Sequence, residues 1–284
     1  MAAEVSAVAD LVCCSRLTTV VDIGANPIDG DPPYKSMLDS GLCAVTGFEP
    51  QPTALAELQR QKGALETYLP YAVGDGNTHR LRVTSASGMT SMFRPDARRL
   101  GLFNGFPAWG TVVDEVDVPT RRLDDIDEVG DFDLLKIDIQ GGELMTFANG
   151  RQKLAQAVAI QTEVSFVPLY EGQPVFGEVD LELRRQGFLP HSFPAIKRWA
   201  ITPTVFGGNF RIGQNQLLEA DIVYVRDIAY PELLTDEQLS HLAMVAFHVY
   251  GSIDLTHFCI LELSRRGSSA ADAGAQFLNR IASD

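Results

Sequence analysis

The chain has 284 residues, 45% of them hydrophobic and 21% charged, which excludes a disordered or fibrous polymer and suits one sizeable α/β domain with a small appendage. A formal net charge of −14 argues against a nucleic-acid partner, whose phosphates call for a basic face, and no apolar run approaches the roughly 18 residues of a membrane span. Cys13, Cys14, Cys43 and Cys259 lack C-x-x-C spacing, and Glu4 and Asp10 replace any basic leader, so the expectation is a cytoplasmic, membrane-free protein with free thiols.

Residues 1–17 read as an N-terminal helix or arm, 18–229 as the main domain and 230–284 as a helical appendage. The first strand is expected over 19–23 and runs into Gly24-Ala25-Asn26, small residues whose glycine lets the backbone turn sharply and approach a ligand. After a stretch holding Pro27, Pro32 and Pro33, a helix over 34–40 stops at Gly41. A second strand over 44–48 ends at Glu49-Pro50, and a helix over 53–62 follows, started by Pro52 and ended by Gly63. An acid at the tip of the second strand is where a doubly wound sheet grips ribose hydroxyls. Asp22, Gly24 and Glu49 therefore point to a nucleoside-type cofactor lying across the carboxyl ends of parallel strands. A third strand over 66–73 leads to the turn Gly74-Asp75-Gly76-Asn77.

The middle is less regular. An added strand is expected over 79–84, then a long mixed segment over 85–114, of the kind that serves as a lid, before 115–119 rejoins the sheet. A clear strand covers 133–139, where Lys136 and Asp138 share one face and a buried lysine requires a partner. Gln140-Gly141-Gly142-Glu143 opens a helix over 144–149, with Glu143 in the first turn, where the helix dipole favours a negative charge and a capping role. The strand over 158–164 carries Glu163, which comes close to Asp138 if the two strands are neighbours. Such a carboxylate pair suits either a general base or a divalent metal, and the choice stays open.

A helix over 175–186, a strand over 188–191 and a last strand over 221–226 complete the alternation of a mainly parallel sheet covered by helices. Between the last two strands, Phe193, Trp199, Phe206 and Phe210 read as a substrate wall or lid, with His191 before them as a remote alternative base. From 230 the pattern turns helical. Thr235 and Gln238 form a capping box, Leu239, Leu242, Ala243, Ala246 and Val249 recur at helical spacing, and further helices are expected over 255–265 and 270–281. This tail packs either on the domain or on another copy as a homo-oligomer contact.

In order along the chain, Asp22-Ile23-Gly24-Ala25-Asn26, Gly47-Phe48-Glu49-Pro50, Ala72-Val73-Gly74-Asp75 and Leu135-Lys136-Ile137-Asp138-Ile139-Gln140-Gly141-Gly142-Glu143 resemble the motifs of FkbM-type methyltransferases. That is a branch of the class I enzymes dependent on S-adenosylmethionine (SAM). The resemblance implies a Rossmann-like, seven-stranded, mostly parallel sheet and methylation of a hydroxyl on a sugar, glycan or natural-product-like small molecule. It implies that Asp22, Gly24, Ala25 and Asn26 hold the amino-acid end of SAM, Glu49 beside Pro50 the ribose, and Asp75 the adenine amino group. Ser91, in the small-polar segment 85–92, and Asp138 complete the cofactor set; Asp138, Lys136 and Glu163 are the catalytic candidates, and Asp138 and Glu163 the candidate metal ligands. The loop from Pro27 to Pro33 departs from the family, which usually has a second glycine and a helix at once. Two other readings are a non-catalytic SAM-binding module whose tail recruits partners, and an NAD-dependent oxidoreductase. Against the latter, no G-x-G-x-x-G occurs, and Pro27-Ile28 stands where a pyrophosphate would need bare backbone.

Overall fold

Apolar strands alternate with covering helices from Thr18 to Arg226 in the computed structural model, which describes residues 8–26 and 30–283. The expectations placed on residues 1–7 and on Pro27, Ile28 and Asp29 lie outside the described residues. The first half of the chain forms β1 (Thr18–Ile23), α1 (Lys35–Asp39), β2 (Cys43–Phe48), α2 (Pro52–Gln61), β3 (Glu66–Leu69), β4 (Ala72–Val73), β5 (Thr78–Thr84), α3 (Ala97–Leu100), α4 (Phe106–Trp109) and β6 (Val112–Arg121). The second half forms β7 (Leu134–Ile137), α5 (Glu143–Ala148), α6 (Arg151–Leu154), β8 (Ala159–Ser165), α7 (Phe176–Arg185), β9 (Phe188–Arg198) and β10 (Leu217–Arg226). Three tail helices follow: α8 (Asp236–His248), α9 (Ile253–Arg266) and α10 (Ala273–Ile281).

Seven strands make one sheet in the order β3-β2-β1-β7-β8-β10-β9. The pairs from β3 to β8 are parallel, and β10 runs antiparallel to both β8 and β9. The Rossmann-like, mostly parallel sheet expected from the sequence is the one observed. Its order reverses beside β1, so the carboxyl ends of β1, β2 and β7 flank the crevice where ligands of such sheets bind.

Three local expectations are corrected. The strand expected over 66–73 breaks in two: β3 ends at Leu69, and Ala72 and Val73 pair with Thr120 and Arg121 of β6 instead. Pro70 lies at the break and has no N–H to offer a ladder. The segment 115–119 does not rejoin the main sheet; β6 pairs antiparallel with β5 in a separate three-stranded sheet, β4-β6-β5. The late strand does not stop at His191, since β9 continues to Arg198 as the hairpin partner of β10.

The two sheet faces are covered differently. On one, Phe147, Leu154, Val179 and Leu183 from α5, α6 and α7 pack on Val21, Ile23, Leu135, Ile137 and Ile160. On the other, α1 has only five residues, too few to cover a sheet. The tail does that work: Leu239, Leu242, Val245, Ile260, Leu263 and Phe277 join Val20, Leu134, Ala159 and Val223 in one buried cluster. The tail helices are defined by their own signals, the Thr235–Gln238 capping box at the start of α8 and left-handed Gly267 at the end of α9. Among the described residues, no helix is long and apolar enough to cross a membrane. All four cysteines are free.

Candidate active site

A cavity of about 710 Å³ opens at the carboxyl ends of β1, β2, β7 and β8. Its floor begins where β1 ends. Gly24 has φ +84°, and a Cβ there would lie 2.1 Å from the Asp138 carbonyl oxygen, so only glycine lets the β1 loop press against β7. The Gly24 and Ala25 N–H groups both donate to the Phe48 carbonyl at 3.1 Å, tying the loop to β2 as well. Gly24, Ala25 and Asn26 all line the cavity.

Asp22 is 2% exposed, and its two oxygens are held from different directions. Tyr34 donates its hydroxyl to Oδ2 at 2.6 Å, and Lys136 Nζ lies 3.3 Å from Oδ1. Lys136 also donates to the Gly24 carbonyl at 3.1 Å. The partner that a buried lysine requires is thus the acid beside it in the β1–β7 register. Burial pushes the Asp22 carboxyl above its usual range. Burial alone would draw Lys136 down, but the Asp22 and Asp138 carboxylates outweigh it and keep the ammonium charged.

Glu49, 4% exposed at the tip of β2, accepts from the Gln51 N–H at 2.7 Å through Oε1. Its other oxygen accepts from none of the described residues, and the side chain lines the cavity with Pro50. Burial raises this carboxyl. Phe48, Tyr71 and Val73 form an apolar wall along the same cavity.

Asp75 stands apart. It is not a lining residue; it closes the β4–β5 turn, accepting from the Asn77 N–H at 2.9 Å with His79 Nε2 2.8 Å away. Burial opposes its ionisation, but these bonds prevail and hold it below the usual carboxylate range. The physical reason is the break at Pro70: Asp75 travels with the small sheet and not with β3. Ser91 is also off the wall, and its Oγ donates to the Gln140 carbonyl at 2.6 Å.

Across β7 and β8 the wall turns acidic. The two strands are neighbours, and Gln140 joins their acids: its Nε2 donates to Asp138 Oδ1 and Glu163 Oε2, both at 2.9 Å. Gln140 adopts φ +55°, rare for a residue with a Cβ, between the Ser91 bond and Gly141 at φ +108°. Buried Glu143, in the first turn of α5, accepts from the Ile139 and Gly141 N–H groups at 2.8 and 2.9 Å, so it ties down the loop before the helix in place of the capping role its position suggested. Burial pushes its carboxyl up to about 7. Glu163 is held well above its usual range, by burial first and then by Asp138 and Glu219, while Lys197, 3.3 Å from Oε1, works against that. Among the described residues, no group of three or more His, Cys, Asp or Glu side chains is placed to hold a metal ion.

The remaining wall is apolar, with Met89, Phe106, Trp109, Leu169 and Tyr170. Trp199 and Phe210, expected in the wall itself, pack against Trp109 with ring centroids 5.9 Å away in each case, Trp199 edge-on and Phe210 tilted. His191 is bonded to Ser252 at 2.9 Å and does not reach the cavity. Tyr34, Gln140, Gln161, Lys197 and Asp221 are site residues that sequence reasoning missed. Only Gln161 left a signal, a long polar side chain two positions before Glu163 and so on the same face of its strand.

Residues 22–190 match the methyltransferase FkbM domain family. The 2-O-methyltransferase NoeI of Sinorhizobium fredii (strain NBRC 101917 / NGR234) is 30% identical over 176 residues, which are 57% of this chain and 70% of NoeI. Among solved structures, the SAM-bound magnesium protoporphyrin IX methyltransferase of Synechocystis PCC 6803 is 12% identical with a TM-score of 0.39, over 74% of this chain and 71% of that one. A TehB-like SAM-dependent methyltransferase of Corynebacterium glutamicum is 14% identical with a TM-score of 0.34, over 79% and 88%.

Proposed function

This chain belongs to the FkbM methyltransferase family and is a SAM-dependent methyltransferase, and we propose that it methylates a hydroxyl oxygen of a sugar, glycan or natural-product-like small molecule. One observation carries the reading. A single cavity has the open carboxylate oxygen of Glu49 at one end and the Asp138–Gln140–Glu163 chain at the other. The name of NoeI, a 2-O-methyltransferase, supports oxygen as the acceptor atom.

The lining fits SAM. Glu49 offers an acceptor for ribose hydroxyls, Phe48, Tyr71 and Val73 an apolar slot for the base, and Gly24 to Asn26 a close backbone for the amino-acid end. Bound there, SAM supplies a methyl group already activated by its sulfonium. Asp138 is the general base of this proposal. Gln140 fixes one of its oxygens, and the other, which accepts from none of the described residues, takes the proton of the acceptor hydroxyl. Lys136 is a positioning residue, since its ammonium is committed to Asp22 and to the Gly24 carbonyl. Glu163 acts through Gln140, holding the amide that aims Asp138. What remains for the walls is to align the acceptor oxygen and exclude water.

Calorimetry with S-adenosylhomocysteine, the demethylated cofactor, tests the first end: Glu49→Ala loses most of the affinity. Asp138→Asn tests the other, with transfer falling about 10²–10⁴-fold while that affinity stays. Asp138→Asn retaining full transfer would remove the base. A divalent ion on Asp138 and Glu163 is the competing route; transfer abolished by a chelator and restored by Mg²⁺ would favour it.

A further inference from the structure

The acceptor half of the cavity carries more negative charge than deprotonating one hydroxyl requires. Asp138, Glu163, Glu219 and Asp221 line it, and among the described residues Lys197 is the cation set against them, bonded to Glu219 at 2.6 Å and 3.3 Å from Glu163. The other lining lysine, Lys136, is committed to Asp22. Asp221 accepts no hydrogen bond from the described residues, although it faces Glu163 in the β8–β10 register.

A second, independent feature lies in the same floor. Gln161, 9% exposed, lies between Lys136 and Val223 in the sheet register and lines the cavity. Its Oε1 is buried with no hydrogen-bond partner. A buried amide oxygen in that state is destabilising unless a ligand donor meets it. The missing element is the same for all three groups: Asp221, the open oxygen of Asp138 and Gln161 Oε1 are acceptors, and what they lack is a donor, best a charged one.

From this juxtaposition we infer that the acceptor carries an ammonium group near the methylated hydroxyl, as an amino sugar or amino alcohol does, and that Gln161 and Asp221 bind it. A phosphate- or carboxylate-bearing acceptor is disfavoured by the same wall, where it would meet four carboxylates. The inference rests on the methyl-transfer reading and specifies its substrate class. An ammonium fits the Gln161 oxygen as a donor and neutralises Asp221 without displacing Lys197. A plain hydroxyl satisfies the amide but brings no positive charge to Asp221.

The test uses the full chain saturated with S-adenosylhomocysteine and three matched probes: D-glucosamine, D-glucose and D-glucuronate. Binding is followed by ligand-observed NMR at fixed ionic strength. Glucosamine should bind at least about tenfold more tightly than glucose, the gain of one charge-assisted bond, and glucuronate more weakly than either. Asp221→Asn should bring glucosamine and glucose to within about twofold while cofactor affinity stays unchanged. Equal binding of glucosamine and glucose overturns the inference, as does a preference for glucuronate or no binding of any probe to the loaded protein. If S-adenosylhomocysteine itself fails to bind, the methyl-transfer reading falls and takes this inference with it.

Discussion

One face of the central sheet is two surfaces joined in mid-strand. Toward the amino ends of the parallel strands it is Val20, Leu134, Ala159 and, on β10, Val225 and Val223, all buried under the tail helices. One step of the side-chain period further, the same strands present Asp22, Lys136, Gln161 and Asp221, and then Asp138 and Glu163, to the cavity. What differs between the halves is what lies on top. In the lower half α8, α9 and α10 remove apolar surface from water. In the upper half a five-residue α1 leaves the face open, and polar side chains are held there by one another. The contrast teaches that stability is gathered below and spent above, on the same strands.

The largest expected effect strikes where the upper half does carry structure. Lys136→Met leaves Asp22 fully buried beside Tyr34 without its counter-ion, which should lower stability by about 3–5 kcal/mol in urea unfolding. An unchanged midpoint would mean that the pair locks nothing, and the upper half would then be functional throughout. In the lower half, Leu242→Ala opens a hole under the sheet and should cost about 2–5 kcal/mol, with cofactor affinity intact in the folded protein. Lost affinity with an unshifted midpoint would reverse the division. Next comes Glu49→Gln, which replaces a charged acceptor with a neutral one. Affinity for S-adenosylhomocysteine should weaken by about 1.5–3 kcal/mol in calorimetry while the unfolding midpoint holds.

A smaller effect follows from pH. Glu143 is protonated more readily when folded, at about 7, than when unfolded, so the folded state binds the extra proton. Its contribution to stability is full below the unfolded value near 4.5 and is lost as pH rises through about 7. Glu163 and Asp221 are raised as well and act in the same sense. Unfolding measured at pH 6 and pH 8 should therefore show the acidic sample more stable by about 1 kcal/mol from Glu143 alone. A more stable sample at pH 8 would place the charged form of Glu143 on its two backbone N–H groups as the favoured one.

Much of this division was legible in the residues. The strands bearing Asp22, Glu49, Lys136, Asp138 and Glu163 were readable from local pattern, and their neighbourhood follows once β1, β7 and β8 are adjacent in a parallel sheet. Asp75 misled because a run from Glu66 to Val73 looks continuous; one proline divides it and moves the following turn to another sheet. Tyr34 and Lys197 were hidden for a different reason. Tyr34 lies 12 residues beyond Asp22 and Lys197 lies 34 beyond Glu163, and no spacing rule connects either pair. Nor does periodicity tell a covering helix from an appended one. That α8 to α10 complete the main core became visible only once α1 proved too short to do so.

The finest test moves the boundary itself by one row. Gln161 is the first polar residue of β8 beyond Ala159, and its register partner on β10 is Val223, which belongs to the packed half. Gln161→Leu removes the unpartnered buried oxygen and sets an apolar side chain beside Val223, so the lower surface advances one position into the cavity. The free protein should become more stable by about 0.5–1 kcal/mol, because a polar group kept for a ligand is a burden when no ligand is bound. Affinity for S-adenosylhomocysteine should not change, since Gln161 lies on the acceptor side of Lys136. A loss of stability instead would show that the amide is already satisfied in the free protein, and the boundary between the two surfaces would then lie above Gln161.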